Sequence, residues 1–126
     1  MELHINKDTQ LCMSLAGRPG NFGTRFHNFL YRELGLNFIY KAFTTRDIAS
    51  AIAGIRALGI RGCAVSMPFK EACIQYLGVR LANSLGKKTI TGAEVIALQA
   101  VEQFVHYTGV RPNTDQIARA AAFARS

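Results

Sequence analysis

A three-layer α/β domain, with a mainly parallel sheet and helices on both faces, is written into the first 77 residues. Short β-rich runs alternate three times with stretches of helical periodicity. The connections are only a few residues long, and glycine follows each of the first two helical stretches. Parallel neighbours need a crossover, usually a helix, so this rhythm argues for a β-α-β-α-β-α order. Such crossovers are right-handed, and ligands in such sheets bind outside the carboxyl ends of the strands.

Residues 10–16 form a short apolar run ending at Gly17-Arg18-Pro19-Gly20, a strand followed by a loop. Thr24 is the expected N-cap of the first helix, whose apolar positions are Phe26, Phe29, Leu30 and Leu34, and Gly35 is its C-cap. Asn37 to Phe43 is rich in β-formers and reads as the second strand. Thr45 is expected to cap a second helix through Ile48, Ile52, Ile55 and Leu58, stopped by Gly59. Ile60 to Met67 is the third strand and Lys70 to Leu77 the third helix.

The remainder has another character. Leu81 to Leu85 is a short helical stretch broken by Gly86, and residues 87–91 suit one more strand. Ala93 to Thr108 is the longest helix, with Val95, Leu98, Val101, Phe104 and Val105 on one broad face. Gly109 and Pro112 end it. Asn113 or Thr114 then caps a final amphipathic helix from Asp115 to about Arg125, carrying Ile117, Ala121 and Phe123.

At 126 residues, nearly half of them apolar, the chain fits one domain that buries a core without disulfides or metal. Cys12, Cys63 and Cys73 are odd in number with apolar neighbours, and read as small buried hydrophobes of a reducing cytoplasm. There is no CxxC pair, and His4, His27 and His106 are far apart, so no metal site is expected. Met1 to Ile5 has neither a basic nor an apolar leader region, and no stretch is apolar enough to cross a bilayer, so no membrane partner is expected. The net charge of +7 suits a small anion or nucleic acid. The basic residues are spread evenly and not interleaved with aromatics, so a nucleic-acid partner is not expected, although it stays as an alternative function.

The sharpest local signal is Val65-Ser66-Met67-Pro68-Phe69-Lys70-Glu71-Ala72. Pro68 cannot extend a sheet ladder, and a lysine follows where a helix begins. The positive end of a helix dipole disfavours a cation there, so Lys70 is either a chemical group or a solvated surface lysine.

These residues, with Gly17-Arg18-Pro19, His27-Asn28, Leu34-Gly35-Leu36, and Gly92 followed by Gln99-Ala100 through Phe104 and Tyr107, resemble the shikimate dehydrogenase family, in particular its shikimate-dehydrogenase-like branch. The resemblance covers about residues 10–77 and 87–125. It implies a single substrate-binding domain over 1–126: N-terminal βα units in 1–78, a C-terminal strand and helices in 87–126, and a junction near 78–86 where the family's NADP-binding Rossmann domain is absent. No GxGxxG loop occurs in these residues, so no cofactor is expected to bind. The segment Asn-Thr-Asp, which supplies the family's catalytic aspartate, is expected to be missing with it.

By the same resemblance, Lys70 is the catalytic lysine, placed to stabilise developing charge on a substrate oxygen. Ser66 replaces the family's threonine and offers its hydroxyl to a ring hydroxyl, or else satisfies the strand end. Gln99 matches a substrate-contacting glutamine. The family's two serines ahead of His-Asn fall on Asn21 and Gly23, and Asn21, Thr24 and the helix-start amides are left to hold a carboxylate. Arg25 either adds charge there or decorates the helix, and His27 is read as a structural hydrogen-bonding residue. The implied ligand is a small hydroxy-acid such as shikimate or quinate. The chain alone is expected to be inactive, or, alternatively, to be completed by a partner chain. Apolar surface bared by loss of a domain is expected to favour a homodimer or larger assembly, with or without swapped C-terminal helices.

Overall fold

The computed structural model describes residues 4–66 and 93–126, with side chains in the second stretch described from Ala100 onward. In chain order the elements are β1 (Gln10–Leu15), α1 (Phe22–Leu34), β2 (Phe38–Phe43), α2 (Ile48–Ala57), β3 (Gly62–Val65), α3 (Ala93–Thr108) and α4 (Thr114–Arg125). The expected helices at 70–77 and 81–85 and the strand at 87–91 lie outside the described residues.

The described strands form one parallel sheet in the order β2-β1-β3. The chain therefore leaves β1 in one direction to make β2, then crosses back over β1 to make β3. Two right-handed crossovers taken in opposite directions put α1 and α2 on opposite faces, which gives the three layers. Register assigns side chains to those faces: Cys12 stands beside Tyr40 and Gly62, and Leu15 beside Phe43 and Val65.

The face under α1 carries the larger core. Cys12 and Tyr40 from the sheet, Phe26, Leu30 and Tyr31 from α1, Val101, Phe104 and Tyr107 from α3, and three alanines of α4 pack into one buried cluster. On the other face Met13, Leu15 and, from α2, Ile52 are buried, whereas Ile48 and Ile55 are half-exposed and Leu58, just past α2, is 78% exposed.

Close approaches place the two C-terminal helices. A Cβ on Gly62 would lie 2.3 Å from the ring of Tyr107, so only glycine lets α3 settle on β3 there. Arg61 Nε donates to the Tyr107 carbonyl at 3.0 Å beside it. The C-terminal end of α3 therefore lies at the amino edge of the sheet, against the start of β3. In α4, Ala120, Ala121 and Ala124 are buried, and their small side chains permit a tight fit against neighbouring elements. This helix is antiparallel to α1, tied to it by Arg119 to Glu33 at one end and by Arg25 to Phe123 and Ser126 at the other.

Two expected caps are corrected. Helix α1 begins at Phe22 with Asn21 as N-cap, so Thr24 lies inside the first turn. Helix α2 is capped by Asp47, whose carboxylate accepts from Ser50 N at 3.1 Å, while Thr45 Oγ1 accepts from Asp47 N at 3.0 Å. Thr45 shapes the approach and Asp47 closes the helix. Strand β3 is also shorter than the expected 60–67 span. No described helix is long and apolar enough to cross a membrane.

Candidate functional site

The topology singles out one place. Because β1 is flanked by β2 on one side and β3 on the other, the chain diverges at the carboxyl ends of β1 and β3, and a crevice opens at such a switch point. Ser66 N donates to Leu15 O at 3.0 Å, and Ala16 N donates to Phe43 O at 3.1 Å, so the three strand ends are level. Above them lie the β1–α1 loop, the start of α1, and Ser66, which follows β3.

The start of α1 is open. Asn21 makes no side-chain cap bond, and the first turn carries no acidic residue. Among the described residues no side chain takes up the leading amides of this helix or neutralises the positive end of its dipole, an arrangement that favours an anion. Asn21 is exposed and Thr24 half-buried within the first turn. The structure therefore brings Asn21 and Thr24 to the same edge of the sheet as Ser66, which is exposed at the end of β3.

Lys70 lies outside the described residues. The backbone of Gln99 is on α3, about two turns before Tyr107. Its side chain is outside what is described.

Arg25 is turned away from this edge as an anion ligand. Its guanidinium donates to Phe123 O at 3.0 Å and to Ser126 Oγ at 2.8 Å, and stacks 4.4 Å over the Phe123 ring. A cation at the last carbonyls of α4 satisfies groups the helix itself cannot, so Arg25 is the clamp of α4.

His27 also differs from expectation. It is 1% exposed, and neither ring nitrogen has a hydrogen-bond partner among the described residues. Instead its ring stacks on Tyr40 at 4.4 Å and lies among Phe26, Tyr31, Phe104 and Tyr107. Burial among aromatic rings holds its pKa down to about 4, so the neutral imidazole is the form at ordinary pH.

The neighbour of His27 in sequence completes a grip on Tyr40. Asn28 Nδ2 donates to Tyr40 O at 2.8 Å, and Tyr40 N donates to Asn28 Oδ1 at 2.9 Å. The Tyr40 ring then runs under the start of α1, where a Cβ on Gly23 would lie 3.5 Å from its hydroxyl. Burial raises the Tyr40 pKa, and the Ser14 hydroxyl beside it offsets part of that rise, so the phenol stays a donor. Sequence reasoning passed over Tyr40, because an aromatic in a β-rich run looks like plain core.

The tripeptide Asn113-Thr114-Asp115 is present after all, and its place corrects the expectation that no such segment exists. Asn113 and Gln116 form a reciprocal capping box at 2.8 and 2.9 Å, and Asp115 pairs with Arg119 at 2.8 Å. This is the opening of α4, separated from the carboxyl edge by most of that helix, so its carboxylate serves an ion pair along the first turns of α4.

An open groove of about 330 Å³ lies elsewhere, between α1 and α4, lined by Phe29, Arg32, Glu33 and Phe123. It faces away from the sheet and does not include the residues discussed above.

The family model for the shikimate dehydrogenase substrate binding domain matches residues 22–87, from the first residue of α1 through β3 and beyond. The chain belongs to this family. It is 80% identical over 73 residues to a shikimate dehydrogenase-like protein of Haemophilus influenzae, covering 58% of this chain and 27% of that one. It is 46% identical over 71 residues to a shikimate dehydrogenase (NADP(+)) of Streptococcus pyogenes, covering 53% of this chain and 24% of that one. A solved shikimate 5-dehydrogenase-like protein superposes with a TM-score of 0.82 at 33% identity, over 98% of this chain and 100% of the other. The chain spans about a quarter of the length of the curated relatives it matches. As a shikimate dehydrogenase substrate-binding domain, it presents to the crevice a helix start without an acidic side chain, two hydroxyl residues and an asparagine.

Proposed function

We propose that this chain binds a small hydroxy-acid, shikimate or quinate being the type, at the carboxyl edge of its sheet, and that it does not turn the acid over alone. The observation that carries this is the uncapped, acid-free start of α1 standing over the same sheet edge as Ser66. A carboxylate placed at those amides gains both hydrogen bonds and the helix dipole. Asn21 and Thr24 supply further polar atoms beside it. Ser66 and Gln99 offer donors and acceptors to ring hydroxyls, and Lys70 stabilises charge on the oxygen that would become a ketone.

Oxidation of that hydroxyl needs a hydride acceptor, which NADP supplies when bound. The 126 residues hold no GxGxxG loop to cradle its phosphates. The one Asn-Thr-Asp segment is spent on capping α4. Both facts support binding without turnover and without NADP. Self-association is part of the same reading, supported by the thin cover over α2, where Ile52 alone is buried.

The test is calorimetric titration of the purified chain with shikimate, quinate and NADPH, followed by an assay for NADPH formation. Saturable binding of an acid, reduced by Lys70→Ala, with no NADPH signal and no turnover, is the expected result. Turnover that Lys70→Ala abolishes would replace this reading with an enzyme completed by assembly. Absence of acid binding would overturn it.

A further inference from the structure

We propose that the groove between α1 and α4 binds a small aromatic monocarboxylate, its ring on Phe29 and Phe123 and its carboxylate on the Arg32 guanidinium. This groove is separate from the sheet edge, and its occupancy does not depend on acid binding there.

The two helices present matching stripes. On α1, Arg25, Phe29 and Arg32 recur at helical spacing, as do Asp115, Arg119 and Phe123 on α4, so each set lies along one helix face. Antiparallel pairing brings the two rings together, with centroids 5.5 Å apart and planes tilted by 33°. The Arg25 guanidinium covers the Phe123 ring at 4.4 Å, and that of Arg119 stands 5.9 Å over Phe29. Beside the rings, an open space of about 330 Å³ is lined by Phe29, Arg32, Glu33 and Phe123. That volume is at the lower end of the range for small-molecule sites, enough for a single ring.

The charges select the ligand. Glu33 and Asp115 are both taken by Arg119. Arg32 donates through Nε to Asn28 O at 3.4 Å, a long bond within its own helix, and its two Nη groups have no partner among the described residues. Three guanidiniums, of Arg25, Arg32 and Arg119, thus stand about the rings against two carboxylates, which leaves one positive charge for one anionic group. A carboxylate suits it, because a planar guanidinium can bond both of its oxygens. The lining holds no hydroxyl or amide side chain, and Glu33 is already held by Arg119, so an acid with a flat apolar body fits better than one rich in hydroxyls. A second copy of the chain is disfavoured at this face by charge, since each copy carries +7.

Two probes test it: phenylacetate, and phenylacetamide, which keeps the ring and loses the charge. Each is titrated into the isotope-labelled chain and into Arg32→Gln, with backbone amide shifts followed by NMR, in the absence and presence of shikimate. The expected result is saturable phenylacetate shifts at Phe29, Arg32 and Phe123 that shikimate does not compete away. Exchanging the acid for its amide, or Arg32 for Gln, weakens binding by about tenfold or more, the scale of a hydrogen bond to a charged group. The amide titration uses the unaltered chain, so it decides even if Arg32→Gln alters the helix. Shifts confined to residues 21–24 and competed by shikimate would put the carboxylate at the sheet edge, overturning this inference while supporting the acid-binding reading. Equal binding of the amide, or no loss in Arg32→Gln, would leave apolar contact alone and overturn it too, as would the absence of saturable shifts.

Discussion

Asn28 closes the sheet edge at Tyr40 by presenting its side-chain amide as a surrogate peptide group, donating at 2.8 Å and accepting at 2.9 Å. β2 is the outer strand on this side of the described sheet, so its outward backbone atoms at Tyr40 have no strand to pair with. An edge with unpaired groups invites association with other chains, and a side-chain cap is one way to blunt it. The consequence is a graded series. Asn28→Ala leaves both Tyr40 groups to water or unsatisfied, at a cost of about 2 kcal/mol. Asn28→Asp keeps the acceptor but sets a carboxylate oxygen against the Tyr40 carbonyl, and is expected to cost more. Urea unfolding midpoints of the two variants check the order.

Gly62 and Tyr107 make a second prediction. The Tyr107 ring occupies the space a side chain on Gly62 would need, with ring atoms at 2.3, 2.4 and 3.0 Å from the Cβ position. Gly62→Ala forces the ring, and with it the end of α3, off β3, at a cost of roughly 1–3 kcal/mol. Adding Tyr107→Ala to Gly62→Ala is expected to cost less than the sum of the two single changes, because the clash disappears with the ring. Equal additivity in chemical denaturation would show that the two do not share that space.

The parallel sheet and the order of helices were legible because they rest on periodicity, which local sequence carries in full. Helix starts were less so. Thr45 and Asp47 are both good capping types two residues apart, and only the distance to Ser50 N decides between them. Asn21 caps by backbone position without a side-chain bond, which no residue preference reveals. His27 was read as a hydrogen-bonding residue from its type, but its neighbours Tyr40 and Phe104 come from other elements and turn its site apolar. Tyr40 was hidden for the same reason: its hydroxyl reaches Gly23 only through the crossover that lays α1 on β2. Asn113-Thr114-Asp115 shows the reverse error, since a tripeptide has meaning only at a place in the fold.

Arg25 makes a prediction about the last helix. It bonds Phe123 O and Ser126 Oγ and covers the Phe123 ring, all from the first turns of α1. Arg25→Ala is expected to lower stability by about 1–2 kcal/mol through loss of charge-assisted bonds and the cation–π contact. The local signature is faster amide hydrogen exchange over the last turn of α4, with β1 unaffected. Since Arg25 faces α4, shikimate affinity is expected to stay within about twofold of the unaltered chain, whereas an anion-binding arginine would cost far more.

His27 sets the acid limit of the fold. Its pKa is held at about 4 against an ordinary 6.5, by burial. Between those values the unfolded chain binds a proton that the folded chain refuses, so ν for the unfolded state exceeds that for the native state and stability rises with pH. The contribution is complete above about pH 6.5 and is lost progressively as the pH falls toward 4, amounting to roughly 3 kcal/mol over the whole window. Tyr31, with its hydroxyl buried beside the Cys12 thiol, cannot relieve this, because its own pKa is pushed up by burial and it stays neutral. Replacing the imidazole by a ring that cannot titrate, His27→Phe, keeps the stack on Tyr40 and removes the proton. The expected outcome is a shallower loss of stability between pH 6.5 and 4 in urea titrations, with the midpoint at pH 7 changed far less than the slope. An unchanged slope in His27→Phe would show that the acid sensitivity of this fold comes from another group.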